Sequence, residues 1–278
     1  MENLIFKTKA LFDEVWHNGF AVVDFTSPQF ISKARIAEKY FLSHNRNPHA
    51  HFDSLTVDNP ALTAQIHTML VAAFEQDVNR FFYNYKLPVC MLLSKKPGSD
   101  SGISMHQDPS LLRQEDQEQH LGIWTPLVDT DQQNGSMRVI SGSHRFFPPI
   151  QALSLPPVFD KIRNELEEFA TPINLKVGQA LIFDNRILHS SFANNSILQR
   201  TAAIIRITHN CAQYINFHFR ADADQIDVTH HSDDFYLAHS YKQFRSIYPS
   251  LNQIVETFSY EPEFINLHQF KEKVKLYV

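Results

Sequence analysis

Hydrophobic residues in the first third of the chain recur three and four positions apart, which is the spacing of one face of a helix. Leu4 and Leu11 belong to the first such segment, which Gly19 ends. The spacing returns over residues 28–43 and 60–83, and the run GFAVVDF after the first segment has the β-branched character of a short strand. The pattern therefore predicts amphipathic helices that pack against another layer.

From about residue 87 the chain changes to short runs rich in β-branched and aromatic residues, such as PVCMLLS, LGIWTPLVD, ALIFD and RTAAIIRITHN. Turn-forming residues such as Asn134-Gly135 separate these runs. Many short strands joined by polar turns predict a sandwich or a barrel, of which the jelly roll is one form.

The sequence shows no internal repeat and no linker, so we predict a single domain over residues 1–278. Its parts are a helix-rich N-terminal flank at 1–86, a mainly β core at 87–220 and a C-terminal flank at 221–278 whose pattern is polar and helical. A helical insertion near 157–170 interrupts the core.

Charge and cysteine content exclude several classes of protein. The net charge of -5 provides no basic surface for nucleic acid or an anionic membrane. The two cysteines cannot form a disulfide framework or a thiolate zinc cluster. The N-terminus lacks the apolar block of a signal peptide, and no apolar run is long enough to cross a bilayer. We therefore expect a cytoplasmic protein with neither nucleic acid nor membrane as a partner.

The stretch SMHQDPS places His106 and Asp108 two residues apart. Side chains at this spacing share one face of a strand, so they can chelate a metal only where the backbone is extended. The strand-like residues before His106, and the proline after Asp108, are consistent with an extended segment at the rim of a sheet. A second triplet, His51 to Asp53, falls in a predicted loop and is interpreted as structural. The first triplet alone is equally typical of a polar turn.

A histidine in the run ILHSSF supplies a third candidate ligand, His189. Asn194-Asn195 then predicts a two-residue hairpin turn, because asparagine tolerates positive φ. This turn would set His189 directly opposite Arg200, with Ser191 on the same face. A guanidinium and a hydroxyl together suit a carboxylate ligand, although a surface ion pair is the alternative for Arg200.

Two histidines and one carboxylate on one face of a divalent metal form the facial triad of non-haem Fe(II) oxygenases. The sequence offers one such set in His106, Asp108 and His189. A bidentate 2-oxo acid and dioxygen would then occupy the remaining positions.

The sequence resembles the phytanoyl-CoA dioxygenase family of Fe(II)- and 2-oxoglutarate-dependent oxygenases over about residues 87–209. The resemblance lies in KKPGSDSGISMHQDPS, LGIWTPLVDTDQQNGSMRVISGSHR and VGQALIFDNRILHSSFANNSILQRTAAIIR, in that order. It implies a double-stranded β-helix, which is a cupin-like jelly roll flanked by helices.

The same resemblance implies roles for individual residues. Three would bind the metal: His106, Asp108 and His189. Four would bind the cosubstrate: Arg200, Ser191, Trp124 and Gln107. Trp124 is equally well interpreted as a side chain that fills the barrel.

The implied activity is hydroxylation of an unactivated C–H bond in a small-molecule metabolite, such as an amino acid, a natural-product intermediate or a lipid-like acid. Fe(II), 2-oxoglutarate and dioxygen would be required, and succinate and CO2 would be released. Because Asp108 is retained, halogenation is disfavoured. The alternatives are desaturation or cyclisation with the same cofactors, a jelly-roll metalloenzyme that does not use 2-oxoglutarate, and a non-catalytic binding protein. No pattern in the sequence predicts an oligomeric state.

Overall fold

Helices dominate the N-terminal part of the chain, as the hydrophobic spacing predicts. The computed structural model describes residues 5–45, 49–113, 120–146, 150–239 and 253–277, so Leu4 lies outside the described residues. The elements are α1 (Lys9–Asn18), β1 (Phe20–Asp24), α2 (Pro28–His44) and α3 (Pro60–Phe81). Helix α1 ends at Gly19, whose φ of 81° is the left-handed conformation that glycine adopts without steric cost. None of the described helices is both long and apolar enough to span a membrane.

Strands form the rest of the domain. They are β2 (His51–Asp53), β3 (Tyr85–Lys86), β4 (Cys90–Lys95), β5 (Ile103–His106), β6 (Leu121–Pro126), β7 (Met137–Val139), β8 (Thr171–Ile173), β9 (Gln179–Asp184), β10 (His189–Ser191), β11 (Arg200–His209), β12 (Tyr214–Arg220), β13 (Gln225–His231) and β14 (Ile254–Ser259). The large sheet has the order β1-β9-β6-β11-β4-β2, with β3 paired to β11. The small sheet has the order β5-β10-β7-β8. Together they form the expected double-stranded β-helix, or jelly roll.

The large sheet is buried on both faces, and the alternation of side chains along its strands separates two environments. In β11, Ala203, Ile205 and Ile207 belong to the cluster formed with the N-terminal helices. Ala202 and Ile204 face the other way, toward the space between the two sheets. One strand therefore holds the helices on one face and builds an internal cavity with the other.

The predicted insertion near 157–170 contains two short 3-10 helices, Asp160–Ile162 and Glu165–Phe169. The helical pattern expected over residues 221–278 was wrong for β13 and β14, which form a third sheet with β12. The short polar turn after residue 220 allows β12 and β13 to pair as a hairpin. A short helix, α4 (Phe235–Ala238), precedes β14, and a longer one, α5 (Leu267–Tyr277), follows the third sheet.

The hairpin predicted between His189 and Arg200 was wrong. Strand β10 pairs with β5 and β7 in the small sheet, whereas β11 pairs with β4 and β6 in the large one. The chain crosses between the sheets because Asn194 is fully buried and organises a wider connection. Its amide nitrogen donates to the carbonyls of Lys95 and Leu198 at 3.0 and 2.7 Å. Arg200 consequently lies opposite Lys95.

Gly122 provides a test of the packing between β6 and its neighbours. A Cβ atom at this position would overlap the Phe183 ring and lie 2.8 Å from Nη1 of Arg206. Because overpacking a core typically costs about 1–3 kcal/mol, we expect Gly122→Ala to lower the free energy of unfolding by this amount. Denaturant unfolding followed by circular dichroism would measure it.

Gly102→Ala is the matched control. Its added Cβ would meet only backbone atoms at 3.5 Å or more, which is ordinary contact, and its φ of -64° suits any residue. Equal stabilities of the two variants would contradict the packing described for Gly122.

Candidate metal centre and the cavity behind it

Three side chains predicted as metal ligands meet where the small sheet ends. His106 is the last residue of β5, and the pairing of β5 with β10 sets it directly opposite His189. Asp108 lies two residues beyond His106. One ligand atom from each residue lies within 4.8 Å of the others, and no other such group occurs among the described residues. His189 Nε2 is 3.8 Å from Asp108 Oδ2.

Both histidines are oriented for coordination through Nε2. His106 Nδ1 lies 2.9 Å from the carbonyl oxygen of Ser104, and His189 Nδ1 lies 3.0 Å from that of Ile187. A carbonyl only accepts, so each Nδ1 carries a proton and each Nε2 is the ring nitrogen available to a metal. Burial, together with the nearby His106, lowers the pKa of His189 to about 4, which keeps this imidazole neutral.

Asp108 is held as a carboxylate by Arg206. Burial alone would raise the pKa of Asp108, but the Arg206 guanidinium and the two histidines lower it to about 2. Nη2 of Arg206 forms an ion pair with Asp108 Oδ2 at 2.7 Å, and its Nη1 donates to Asn185 Oδ1 at 3.0 Å. The site therefore presents two imidazole nitrogens and one carboxylate, a donor set that suits Fe(II).

Glu167, in the second 3-10 helix of the insertion, ties the two ligand strands together. Its Oε1 accepts from the backbone N–H of Met105 at 3.2 Å, and its Oε2 accepts from the Ser190 hydroxyl at 2.9 Å. Met105 and Ser190 adjoin His106 and His189 in the chain. Glu167 also forms an ion pair at 2.7 Å with Arg138 on β7. We call Glu167 and these contacts the Glu167 clamp.

A cavity runs from the three ligands into the space between the sheets. Of the residues predicted to bind a cosubstrate, Arg200, Ser191 and Trp124 line it. Gln107 does not: it is buried, and its amide nitrogen donates to the carbonyl of Arg186. A contact between Gln107 and a cosubstrate thus stays a prediction. The other lining residues are Met91, Leu93, Ile103, His106, Asp108, Met137, Phe183, His189, Ser190, Ile204 and Arg206.

The inner end of the cavity is positively charged and has no acidic partner within the part of the chain that the structure describes. Arg200 is 1% exposed, and its guanidinium carbon lies 5.2 Å from the centroid of Trp124. Its Nε and Nη2 donate to the carbonyls of Asn134 and Gly135, but Nη1 has no hydrogen-bond partner among the described residues. Burial lowers the pKa of Arg200 to about 9, so it remains a cation at neutral pH. An unpartnered buried guanidinium fits a carboxylate ligand.

Three basic residues near the site were not among the residues predicted to form it. Lys95 is fully buried opposite Arg200, and Arg206 pairs with Asp108. His51 lies in strand β2 rather than in a loop, and burial followed by the charges of Lys95 and Arg200 lowers its pKa to about 4. Only for Arg206 did the sequence carry a signal, because it lies six residues after Arg200 in one strand and so shares its face.

The second triplet, His51 to Asp53, provides a control for the assignment of the metal ligands. Asp53 Oδ1 accepts from the backbone N–H groups of Leu55 and Thr56, both at 2.8 Å, so its carboxylate closes a turn. We expect His106→Ala to lower Fe(II) affinity at least about 100-fold, because one of three ligands is lost and ligation contributes most of the binding energy. His51→Ala should retain the affinity. Anaerobic titration calorimetry with Fe(II) measures both, and equal losses would contradict the assignment.

The Glu167 clamp predicts a smaller effect. Glu167→Gln keeps the shape of the side chain but removes the charge that holds Arg138, so the ligand strands lose part of their restraint. We expect Fe(II) affinity to fall about 10-fold, as is usual for residues that orient metal ligands. Glu168→Gln, at an exposed neighbouring position, is the control and should bind as the unmodified protein does. Unchanged affinity in Glu167→Gln would contradict the role of the clamp.

Solved structures similar to the chain share its fold. SnoK, a non-heme alpha ketoglutarate dependent carbocyclase from nogalamycin biosynthesis, has a TM-score of 0.51 at 16% identity, over 74% of this chain and 86% of that one. The epimerase SnoN, solved with Fe3+, alpha ketoglutarate and nogalamycin RO, has a TM-score of 0.51 at 16% identity, over 74% and 85%. AviO1 from Streptomyces viridochromogenes has a TM-score of 0.51 at 15% identity, over 76% and 98%. At such identities the likeness shows the fold alone.

Relatives in sequence point to one family. Phytanoyl-CoA dioxygenase domain-containing protein 1 of Danio rerio is 29% identical over 117 residues, which are 40% of each chain. Phytanoyl-CoA dioxygenase 1 of Oryza sativa subsp. japonica is 28% identical over 155 residues, covering 50% of this chain and 53% of the relative. The matches thus span about half or less of these relatives. The family model for phytanoyl-CoA dioxygenase (PhyH) matches residues 18–202, and the chain therefore belongs to the phytanoyl-CoA dioxygenase family.

Proposed function

We propose that the protein is a non-haem Fe(II)- and 2-oxoglutarate-dependent dioxygenase that hydroxylates an unactivated C–H bond of a small molecule. The observation that carries this proposal is a single cavity with complementary ends. One end offers the His106, Asp108 and His189 ligand set, and the other offers the buried Arg200, whose Nη1 has no hydrogen-bond partner among the described residues. A 2-oxo dicarboxylate has matching ends, because its oxo acid group chelates a metal and its distal carboxylate pairs with a guanidinium.

Each residue has a role in this proposal. His106, Asp108 and His189 would hold Fe(II), and Arg200 would bind the distal carboxylate of 2-oxoglutarate with a hydrogen bond from Ser191. Trp124 packs against the Arg200 guanidinium and would restrict its orientation. When bound, Fe(II), 2-oxoglutarate and dioxygen supply oxidative chemistry that yields succinate, CO2 and the alcohol. The protein supplies orientation and excludes water from the reacting groups.

The apolar residues that line the cavity support these roles for its two charged ends. Leu93, Met137, Phe183 and Ile204 are among the residues that line the cavity, and their apolar side chains do not compete for polar groups of the ligand. A bound 2-oxoglutarate would therefore be positioned by its two ends alone. SnoK, which shares the fold, is described as an alpha ketoglutarate dependent enzyme, and SnoN was solved with Fe3+ and alpha ketoglutarate bound, which is consistent with the proposal.

For the substrate we propose a small metabolite such as an amino acid, a natural-product intermediate or a lipid-like acid. The net charge of -5 disfavours a polyanion. Because Asp108 fills the third protein position of the ligand set, halogenation is disfavoured. Desaturation and cyclisation would use the same metal ligands. The mass of the product distinguishes both of them from hydroxylation.

A substrate panel tests the proposal. With Fe(II), 2-oxoglutarate and oxygen, we expect substrate-dependent succinate release and a product heavier by one oxygen atom, measured by mass spectrometry. A product lighter by two hydrogen atoms would show that the reaction is desaturation or cyclisation rather than hydroxylation. If 2-oxoglutarate does not bind to the anaerobic Fe(II) protein, the proposed cosubstrate is wrong.

Arg200 gives a sharper test of the cosubstrate. Truncating one partner of a buried charge pair costs about 2 kcal/mol or more, so we expect Arg200→Ala to raise the Kd of 2-oxoglutarate at least about 30-fold. Fe(II) affinity should remain, because Arg200 is not among the ligands. Arg113→Ala is the control, since that arginine forms a half-exposed ion pair with Glu256. Anaerobic titration calorimetry measures both variants, and unchanged 2-oxoglutarate binding in Arg200→Ala would exclude this anchor.

A further inference from the structure

A second basic side chain is buried beside Arg200. Lys95 is the last residue of β4, is 0% exposed, and lies opposite Arg200 in the pairing of β4 with β11. Its Nζ donates to the Ser191 hydroxyl at 2.8 Å and to the carbonyl of Phe192 at 2.5 Å. Gly135 leaves room for both cations, because a Cβ there would lie 3.1 Å from Lys95 Cδ and 3.2 Å from Arg200 Nη2.

No carboxylate among the described residues lies within ion-pair distance of Lys95 or Arg200. The charged and titratable groups around Lys95 are Arg200 on β11, Arg138 on β7 and His51 on β2. Only Arg138 is neutralised, by Glu167. Burying an ammonium without a counterion is costly, so the free site disfavours the protonated form of Lys95. A bound anion would offset that cost.

We propose that Lys95 is a positioning residue of the cosubstrate site, which directs the Ser191 hydroxyl toward the carboxylate bound by Arg200 and takes up a proton when that carboxylate binds. This inference rests on the proposed function and adds a residue and a coupled protonation to it.

The direction of the Ser191 hydroxyl follows from hydrogen-bond chemistry. A protonated ammonium has three donors and no lone pair, so Ser191 Oγ must accept from Lys95. The hydroxyl proton is then free to donate elsewhere, and Ser191 lines the cavity. A neutral amine has a lone pair and allows the opposite arrangement, in which Ser191 donates to Lys95. Protonation of Lys95 therefore selects the arrangement that serves an anionic ligand.

The charges around Lys95 determine whether binding of the carboxylate takes up or releases a proton. Burial, followed by the charges of Arg200 and Arg138, lowers the pKa of Lys95 to about 6. At pH 7.5 the free site therefore holds mainly the neutral amine. A carboxylate next to Arg200 favours the ammonium and raises this pKa, so binding at pH 7.5 is accompanied by proton uptake.

Titration calorimetry on the anaerobic Fe(II) protein tests the inference. We would titrate 2-oxoglutarate at pH 7.5 in buffers with different ionisation enthalpies, since the slope of the observed enthalpy gives the number of protons exchanged. We expect uptake approaching about one proton for each 2-oxoglutarate bound. Binding without proton exchange would overturn the inference but leave the proposed function intact. Absence of any 2-oxoglutarate binding would overturn both.

Variants identify the proton acceptor. Lys95→Met preserves the length of the side chain without its charge, and we expect it to abolish the uptake and to raise the Kd of 2-oxoglutarate at least about 10-fold. Lys96→Met is the matched control at the adjacent position, where the ammonium lies 5.3 Å from the Phe52 ring. It should retain both uptake and affinity. Full uptake in a folded Lys95→Met protein would assign the proton to another group, such as His51, and overturn the inference.

A third measurement on the unmodified protein applies even if Lys95→Met does not fold. Proton uptake should rise as the pH increases from 6 to 7.5, because the free amine then loses its proton while the bound ammonium keeps it. The opposite trend, with uptake falling over this range, is what a group with the low pKa of His51 would give, and it would overturn the role of Lys95.

Discussion

The pairing of β5 with β10 is the interaction on which the candidate site depends, because it sets His106 opposite His189 at the edge of the small sheet. The two strands are short, with four and three residues. Their own ladder can therefore contribute little rigidity. Contacts from the inserted segment compensate, since Glu167 bonds to both strands beside the two ligands. The insertion, distant in sequence from either histidine, thereby fixes the distance between them.

The large sheet links this site to the N-terminal helices. In β11, Ala203, Ile205 and Ile207 pack in the helix-facing cluster, whereas Arg200, Ile204 and Arg206 line the cavity. The N-terminal helices therefore pack on the opposite face of the strand that carries both arginines. Gly122 on β6 also affects the position of Arg206, because its missing side chain leaves the space that Phe183 and the Arg206 guanidinium occupy. The large sheet is thus the layer that separates the helices from the cavity and contacts both.

Charge is distributed unevenly along the cavity, and the difference has a physical consequence. Arg206 at the metal end is neutralised by Asp108, whereas Arg200 and Lys95 at the inner end have no described acidic partner. Arg200 is buried as a cation, and a protonated Lys95 beside it would repel it and lose hydration, so the ammonium is unfavourable in the free site. An anion bound at this end offsets that cost, whereas a neutral ligand of the same shape does not. We therefore expect the inner end to favour an anionic ligand.

The sequence by itself determined the helices, most strands of the core, and the residue types of the ligand set, because these depend on local periodicity and on spacing within one strand. It also identified Arg200, although by a hairpin that does not exist. Only the tertiary structure decided that His189 and Arg200 approach the cavity from different sheets, because the crossover depends on buried hydrogen bonds of Asn194 to Lys95 and Leu198. The basic residue Lys95 was likewise invisible in the sequence. Its environment is created by strands far apart in the chain, and no local pattern records which charges a fold brings together.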